Sequence, residues 1–278
     1  MQIYEDRLKG IKISARSITI GEHVEFGRNI DIDIWGDFFI GDRSRLGDDA
    51  QIRGNNIRFG EDLFNSRGLR IGGGGRDNPN ANFQIGDRCT IHNNFLNVCE
   101  PIIIGHDVGL SPDVSILTHG YWMSVLDGYP ASFSGVAIGD SVIIGYRSLI
   151  MMGLEIKSKI VVGAQSVVTK SLSESGIYGG SPARFIRAIT PLGHQDRIEK
   201  IQEIINKYQQ IAEYHSVKAL IQLRYPSIYI NNFSLDVETF KFSGEEDANT
   251  DDFRDYLRKF GIRIYTSRPF RSKSRDLL

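Results

Sequence analysis

Residues 138–187 decide the architecture. They read Ile138-Gly-Asp-Ser-Val-Ile, Ile144-Gly-Tyr-Arg-Ser-Leu, Ile150-Met-Met-Gly-Leu-Glu, Ile156-Lys-Ser-Lys-Ile-Val, Val162-Gly-Ala-Gln-Ser-Val and Val168-Thr-Lys, and they close on Gly179-Gly180-Ser181-Pro182-Ala183-Arg184-Phe185-Ile186-Arg187. An aliphatic residue returns at every sixth position, and a small or β-branched residue often follows four later. An amphipathic helix repeats at about 3.6 residues and a half-buried strand at two, so neither fits. A sustained period of six is the signature of a parallel β-helix, an all-β solenoid. Each hexad is then one short strand and a corner, with the aliphatic residue inward and the frequent glycine after it permitting the turn. Three hexads close a coil, and coils stack at about 4.8 Å, the spacing of hydrogen-bonded strands. No coil buries its apolar residue alone, so the stack is stable only as a whole.

The same phase runs back toward the N-terminus with interruptions. It is present at Ile20 and Phe26, at Ile40, Leu46 and Ile52, after a one-residue slip at Phe59, then at Ile85, Ile91 and Asn97, and, after one extra residue, at Ile104, Leu110 and Ile116. Residues 1–17 are expected to be an irregular lead-in and 18–189 the solenoid. Two stretches leave the pattern. Gly72-Gly73-Gly74-Gly75-Arg76-Asp77-Asn78-Pro79-Asn80 lacks the Gly-Lys-Ser/Thr ending of a phosphate loop, so a flexible loop between coils is expected. Residues 120–137 include Tyr121 and Trp122, a candidate acceptor wall or a loop packed on a neighbouring subunit. After Ile189 the period is lost. Ile198, Ile201, Ile204, Ile205, Tyr208, Ile211 and Ala212 predict a helix within 195–223. Strands at 227–231 and 234–242, a helix at 251–260 opened by Thr250, and a last strand at Ile262–Thr266 complete a small α+β extension over 190–278.

Composition excludes several classes. The chain has 278 residues and a formal net charge of −1, with 33 basic against 34 acidic side chains, so no global basic field draws nucleic acid. No apolar run reaches the roughly 20 residues of a membrane helix, and the first residues lack the basic-then-apolar pattern of a signal peptide. Cys89 and Cys99 make neither a disulfide framework nor a zinc motif, and Cys89 falls at an inward position. Together these features predict a cytoplasmic protein. Arg268, Arg271, Lys273 and Arg275 form a basic tail, either a solvated end or a weak contact with an anionic membrane surface.

The repeats and the Gly-Gly-Ser-Pro-Ala-Arg ending resemble the hexapeptide-repeat acyltransferases, above all the branch of galactoside, maltose, xenobiotic and surface-polysaccharide O-acetyltransferases. The resemblance implies a left-handed β-helix, against the right-handed crossovers usual between parallel strands. It implies acetyl-CoA as donor, no metal, and a homotrimer with the donor site between subunits. Thr118-His119-Gly120, about twenty residues before an Ile-Gly-Asp, matches the family's catalytic histidine. An imidazole, with an ordinary pKa of about 6.5, takes a proton from an acceptor hydroxyl near neutral pH.

Glu100, placed one coil before His119 by the phase, is an acceptor ligand, a carboxylate polarising the histidine, or a solvated corner residue. The family's acceptor-binding asparagine aligns with His92, beside Asn93 and Asn94; a structural asparagine ladder is the alternative. Around the donor, the resemblance implies Gly145, Tyr146 and Ala164 along the pantetheine arm and Thr169, Lys170, Arg184 and Arg187 near the phosphates. Ile143 stands where the family often has Trp.

The expected activity is therefore acetyl transfer to a sugar hydroxyl, of a surface polysaccharide or its precursor. The amine of a nucleotide-linked sugar and an antibiotic are the alternative acceptors. A γ-type carbonic anhydrase would need His92, His106 and His119 to converge on zinc, but their spacing does not match that family. A purely binding solenoid is the remaining alternative.

Overall fold

The inward aliphatic residue has a partner, and the pair builds the core. In the computed structural model, which describes residues 1–214 and 220–270, Ile138, Ile144, Ile150, Ile156, Val162 and Val168 are all buried. The residue four further on is buried too: Val142, Ser148, Leu154, Ile160, Ser166 and Leu172. Each hexad thus sends two side chains inward around one corner. The fold is a parallel β-helix of about eight coils. Burial of this continuous aliphatic column, with Cys89 inside it, is its main source of stability. Burial also pushes the Cys89 thiol up to about 12, so it is an inert core group.

The chain visits three faces in turn. Face 1 contains Ile11–Ala15, Ile30–Ile34, Gln51–Gly54, Arg70–Gly72, Phe95–Asn97, Ser115–Ile116, Leu149–Ile150 and Val167–Val168. Face 2 runs from Ser17–Ile20 to Glu155–Ile156, and face 3 from Glu25–Phe26 to Gly176–Gly179. Both ends are closed by antiparallel strands. Gln2–Asp6 pairs with Ile11–Ala15, and Arg184–Arg187 pairs with Gly176–Gly179. Residues 1–17 are therefore not the irregular lead-in expected; they supply a capping strand and the first strand of the stack, covering a sheet edge that would otherwise present unpaired backbone.

The glycine after the aliphatic residue has a different reason from the one the sequence suggests. The left-handed backbone of each corner falls two residues later, at Ser141, Arg147, Lys159 and Gln165, each with φ near +60°. Gly145 is needed because the next coil passes too close: a Cβ there would lie 2.5 Å from the Ala164 backbone nitrogen.

One corner, between faces 3 and 1, carries a buried asparagine ladder. Asn65 accepts from the Gly47 N–H at 3.1 Å and donates to the His92 carbonyl at 3.0 Å. Asn94 accepts from the His92 N–H at 2.8 Å and donates to the Ser111 carbonyl at 2.8 Å. Both side chains have no exposed surface. Each thus satisfies backbone groups of two coils where no water reaches.

The unit Thr190–Leu278 has its own core. Helix α1 is described over His194–Tyr214 and does not extend to residue 223, because Ile221–Arg224 is a strand. Leu220 is exposed and Ile221 buried, the alternation of a strand rather than a helix face. With Ser227–Ile230, Phe233–Asp236 and Phe242–Gly244 it forms a four-stranded antiparallel sheet. The single strand expected at 234–242 is broken because Asp236 accepts from the Glu238 and Thr239 N–H groups in a turn. Helix α2 (Ala248–Arg258) is capped by Asp247; Thr250, expected as the cap, is the third residue of a capping box. The segment Ile262–Thr266 is not a strand, and the Ile264 carbonyl instead accepts from fully buried Arg254. Arg268 is tied to Asp251 rather than free in a basic tail; Arg271, Lys273 and Arg275 lie outside the described residues. Among the described residues no helix is long and apolar enough to cross a membrane.

Replacing Asn94 by Ala strips partners from the part-buried His92 N–H and Ser111 C=O, which costs up to roughly 1–3 kcal/mol for each group. Urea unfolding of Asn94→Ala is expected to show a clear fall in midpoint. An unchanged midpoint would mean that the ladder carries no stability.

Candidate active site

The edge between faces 1 and 2 gathers the unusual residues. His119 ends the run after Ser115–Ile116, and His119–Gly120 pairs antiparallel with Ser132–Phe133. The interruption at 120–137 is therefore a hairpin that springs from the histidine. The imidazole stacks on the Phe133 ring at 5.9 Å and 14°, and Tyr121 lies 5.4 Å away. Both rings are about half exposed, and Trp122 beyond them is 90% exposed. His119 thus sits at the base of an open aromatic wall.

What holds its ring is Asn97. His119 Nδ1 lies 2.7 Å from Asn97 Oδ1. The Thr118 N–H also points at Oδ1, at 3.4 Å, which assigns that atom as the amide oxygen. An amide oxygen only accepts, so Nδ1 carries the hydrogen and Nε2 keeps its lone pair. The Thr118 hydroxyl donates to the Asn97 carbonyl at 2.7 Å and accepts from the Glu100 N–H at 2.9 Å, which braces the corner. A fixed tautomer with a free Nε2 is what a general base requires.

Asn97 was legible only as a polar residue at a position reserved for aliphatics. The register explains it. Leu96, not Asn97, pairs with Ile71 and Ile116, so this hexad is one residue short. Asn97 is buried just beyond the strand's inward residue, at 4% exposure. The same count places Cys99, not Glu100, level with His119. Glu100 accepts instead from the Asn80 amide at 3.3 Å. The glycine-rich segment, expected to be flexible, is pinned at this edge, because Asn78 donates to the Gly74 and Cys99 carbonyls at 3.1 and 2.8 Å.

His92, Asn93 and Asn94 are not on the same surface. They lie on the edge between faces 3 and 1. His92 Nδ1 is 2.8 Å from the Ser66 hydroxyl, and burial lowers its pKa. Asn93 bonds Asp113, and Asn94 is the ladder residue. Gly145, Tyr146 and Ala164 share that edge, whereas Thr169 and Lys170 follow Val167–Val168 on the edge of His119, two coils further along. Arg184 and Arg187 are exposed on the closing strand of face 3, and among the described residues their guanidinium groups bond the Ala183 and Ala188 carbonyls. His106 lies on the third edge, beside Asp87. The three histidines occupy three different edges and do not converge, and among the described residues no group of three His, Cys, Asp or Glu is placed to hold a metal.

No family model matches the chain. The provisionally named lipopolysaccharide biosynthesis O-acetyl transferase WbbJ of Escherichia coli K12 is 30% identical over 145 residues, 47% of this chain and 71% of that protein. A provisionally named acetyltransferase of Saccharomyces cerevisiae is 33% identical over 40% of this chain, and the match spans 58% of the yeast protein's length, less than two thirds. Among solved structures, the N-acyltransferase AntD from Bacillus cereus, in complex with dTDP and 3-hydroxybutyryl-CoA, superposes with a TM-score of 0.45 at 19% identity, covering 76% of this chain and 98% of that one. On its repeats, its coil architecture and the match to the Escherichia coli protein, the chain belongs to the hexapeptide-repeat, left-handed β-helix acetyltransferases.

Proposed function

We propose that the protein is an acetyl-CoA-dependent O-acetyltransferase acting on a sugar hydroxyl, of a surface polysaccharide or its precursor, with His119 as general base. The observation that carries this reading is the Asn97–His119 bond, which leaves Nε2 as an acceptor at an open aromatic edge. The acceptor class is supported by the relative named for lipopolysaccharide O-acetyl transfer. Nε2 takes the hydroxyl proton as that oxygen attacks the acetyl carbonyl, and returns it to the sulfur as the carbon–sulfur bond breaks. The donor supplies the activated acetyl group as a thioester. Lys170, Arg184 and Arg187 are cations on the exposed end of the stack, suited to its phosphates.

Within one chain the two halves of the donor site are on different edges: His119, Thr169 and Lys170 on one, Gly145, Tyr146 and Ala164 on another. A neighbouring copy brings the second edge to the first. Ile103 on face 2 and Ile143 on face 3 point outward about half exposed, as residues of two contact faces would. These features support a homotrimer with the donor groove between subunits. We read residues 190–278 as a separate unit that bears on the acceptor or on assembly. Light scattering at micromolar concentration should give the mass of three chains; a monomer would remove the groove.

His119→Asn keeps a polar group but takes no proton at neutral pH. Acetyl transfer should fall by roughly 10²–10⁴-fold, with coenzyme A affinity nearly unchanged. Turnover close to wild type in the folded variant would return His119 to a structural role. A panel of sugars, amino sugars and antibiotics with acetyl-CoA identifies the acceptor and separates hydroxyl from amine transfer.

Asn97→Asp tests the positioning residue through a readout that packing alone does not move. A carboxylate against Nδ1 stabilises the imidazolium and raises its pKa. The rising limb of kcat/KM against pH should therefore shift to higher pH, while Glu100→Gln leaves the limb in place. A shift with Glu100→Gln and none with Asn97→Asp would exchange the two roles.

A further inference from the structure

Face 1 carries a gap beside the histidine's support. Its outward residues stack in two rows across the coils. One row runs Asp31, Gln51, Arg70 and Phe95; the other runs Asp33, Arg53, Gly72 and Asn97. Gly72 therefore sits between Arg53 and Asn97, the residue that holds His119. Its φ is not positive, and a Cβ there would meet nothing closer than the Arg53 Cβ at 3.6 Å, an ordinary contact. Neither the backbone nor the neighbours demand glycine. A strand position without such a demand is better filled by a β-branched residue. What the missing side chain provides is space. A cleft of about 340 Å³ opens there, lined by Gln51, Arg53, Arg70, Ile71, Gly72, Gly73 and Phe95.

The cleft is cationic. The charged residues lining it are both arginines. Arg53 is held by Asp31, on the neighbouring coil. Arg70 is exposed and rests on the Phe95 ring at 5.3 Å, and among the described residues no carboxylate pairs with it. A guanidinium fixed on an aromatic face, with its edge free, is suited to bidentate binding of a carboxylate or phosphate. Two strand spacings, about 10 Å, separate the coil of Gly72 from the coil of His119. The cleft lies on the N-terminal side of the histidine, whereas Thr169, Lys170, Arg184 and Arg187 lie on the C-terminal side.

We propose that this cleft is the acceptor subsite and that it takes an anionic sugar, with the phosphate or carboxylate on Arg70 and the sugar ring over Gly72. The proposal rests on the acetyl-transfer reading and names the substrate class of that site.

Galactose, galacturonic acid and galactose 6-phosphate share a ring and differ at C6. Calorimetric titration of each into the full chain measures binding without turnover. The charged sugars should bind at least about tenfold more tightly than galactose, and added salt should narrow the difference. The tighter of the two charged sugars tells phosphate from carboxylate. Arg70→Ala should weaken the charged sugars by about 10- to 100-fold, the range of a charge-assisted hydrogen bond, and Arg70→Lys should restore part of it. Gly72→Val should block all three sugars while coenzyme A binding persists. If Gly72→Val does not fold, the Arg70 pair decides. Equal binding of charged and neutral sugars, no binding of any of them, or indifference to Arg70→Ala overturns the subsite. The acetyl-transfer reading fails differently: sugar binding with the expected Arg70 dependence, but no thiol released from acetyl-CoA.

Discussion

The spacing between neighbouring strands governs this molecule. Coils stack at the distance backbone hydrogen bonds impose, and everything inward must fit that rise. This is why the interior accepts aliphatic pairs such as Val142 and Ile144, and why a glycine stands where a side chain would strike the next coil. It is also why inward amides such as Asn65 and Asn94 are bonded on both amide atoms. A polar atom buried at that spacing has no water to turn to. The stack converts a one-dimensional repeat into three straight edges, and each edge carries its own chemistry: the asparagine ladder on one, His106 with Asp87 on another, His119 on the third.

Much of the fold was legible because a period of six has few physical interpretations. The inward residues from Ile138 to Val168 are buried as their spacing requires. The ends were not legible. Residues 2–6 lack the period because a capping strand buries nothing inside the coil; four of its five residues are exposed. In the C-terminal unit, short apolar segments fit helix and strand alike, and capping decided what periodicity could not, as Asp247 shows.

The site was half legible. His119 stood out by its place before an interruption. Its partner did not, because reading Asn97 as an inward position and Glu100 as level with the histidine both assumed hexads of full length. Only the pairing of Leu96 with Ile71 and Ile116 reveals the shortened one. His92, Asn93 and Asn94 lie on another edge than His119 for a different reason. The chain makes four strand-to-strand steps from Ile91 to Ile116, and only a multiple of three returns it to the same edge.

The shortened hexad before Asn97 means that the geometry around His119 is set by chain length as much as by side-chain identity. One residue fewer brings an amide to the end of a strand whose inward place belongs to Leu96. One residue more would carry that amide past the corner without altering any amino acid in the site. Substitutions elsewhere in the coil change packing by degrees, whereas insertions and deletions between Ile91 and Leu96 switch the histidine's support on or off. In a solenoid, the indel is thus a unit of functional change, and families built this way have a route to new or silenced sites that leaves their cores intact.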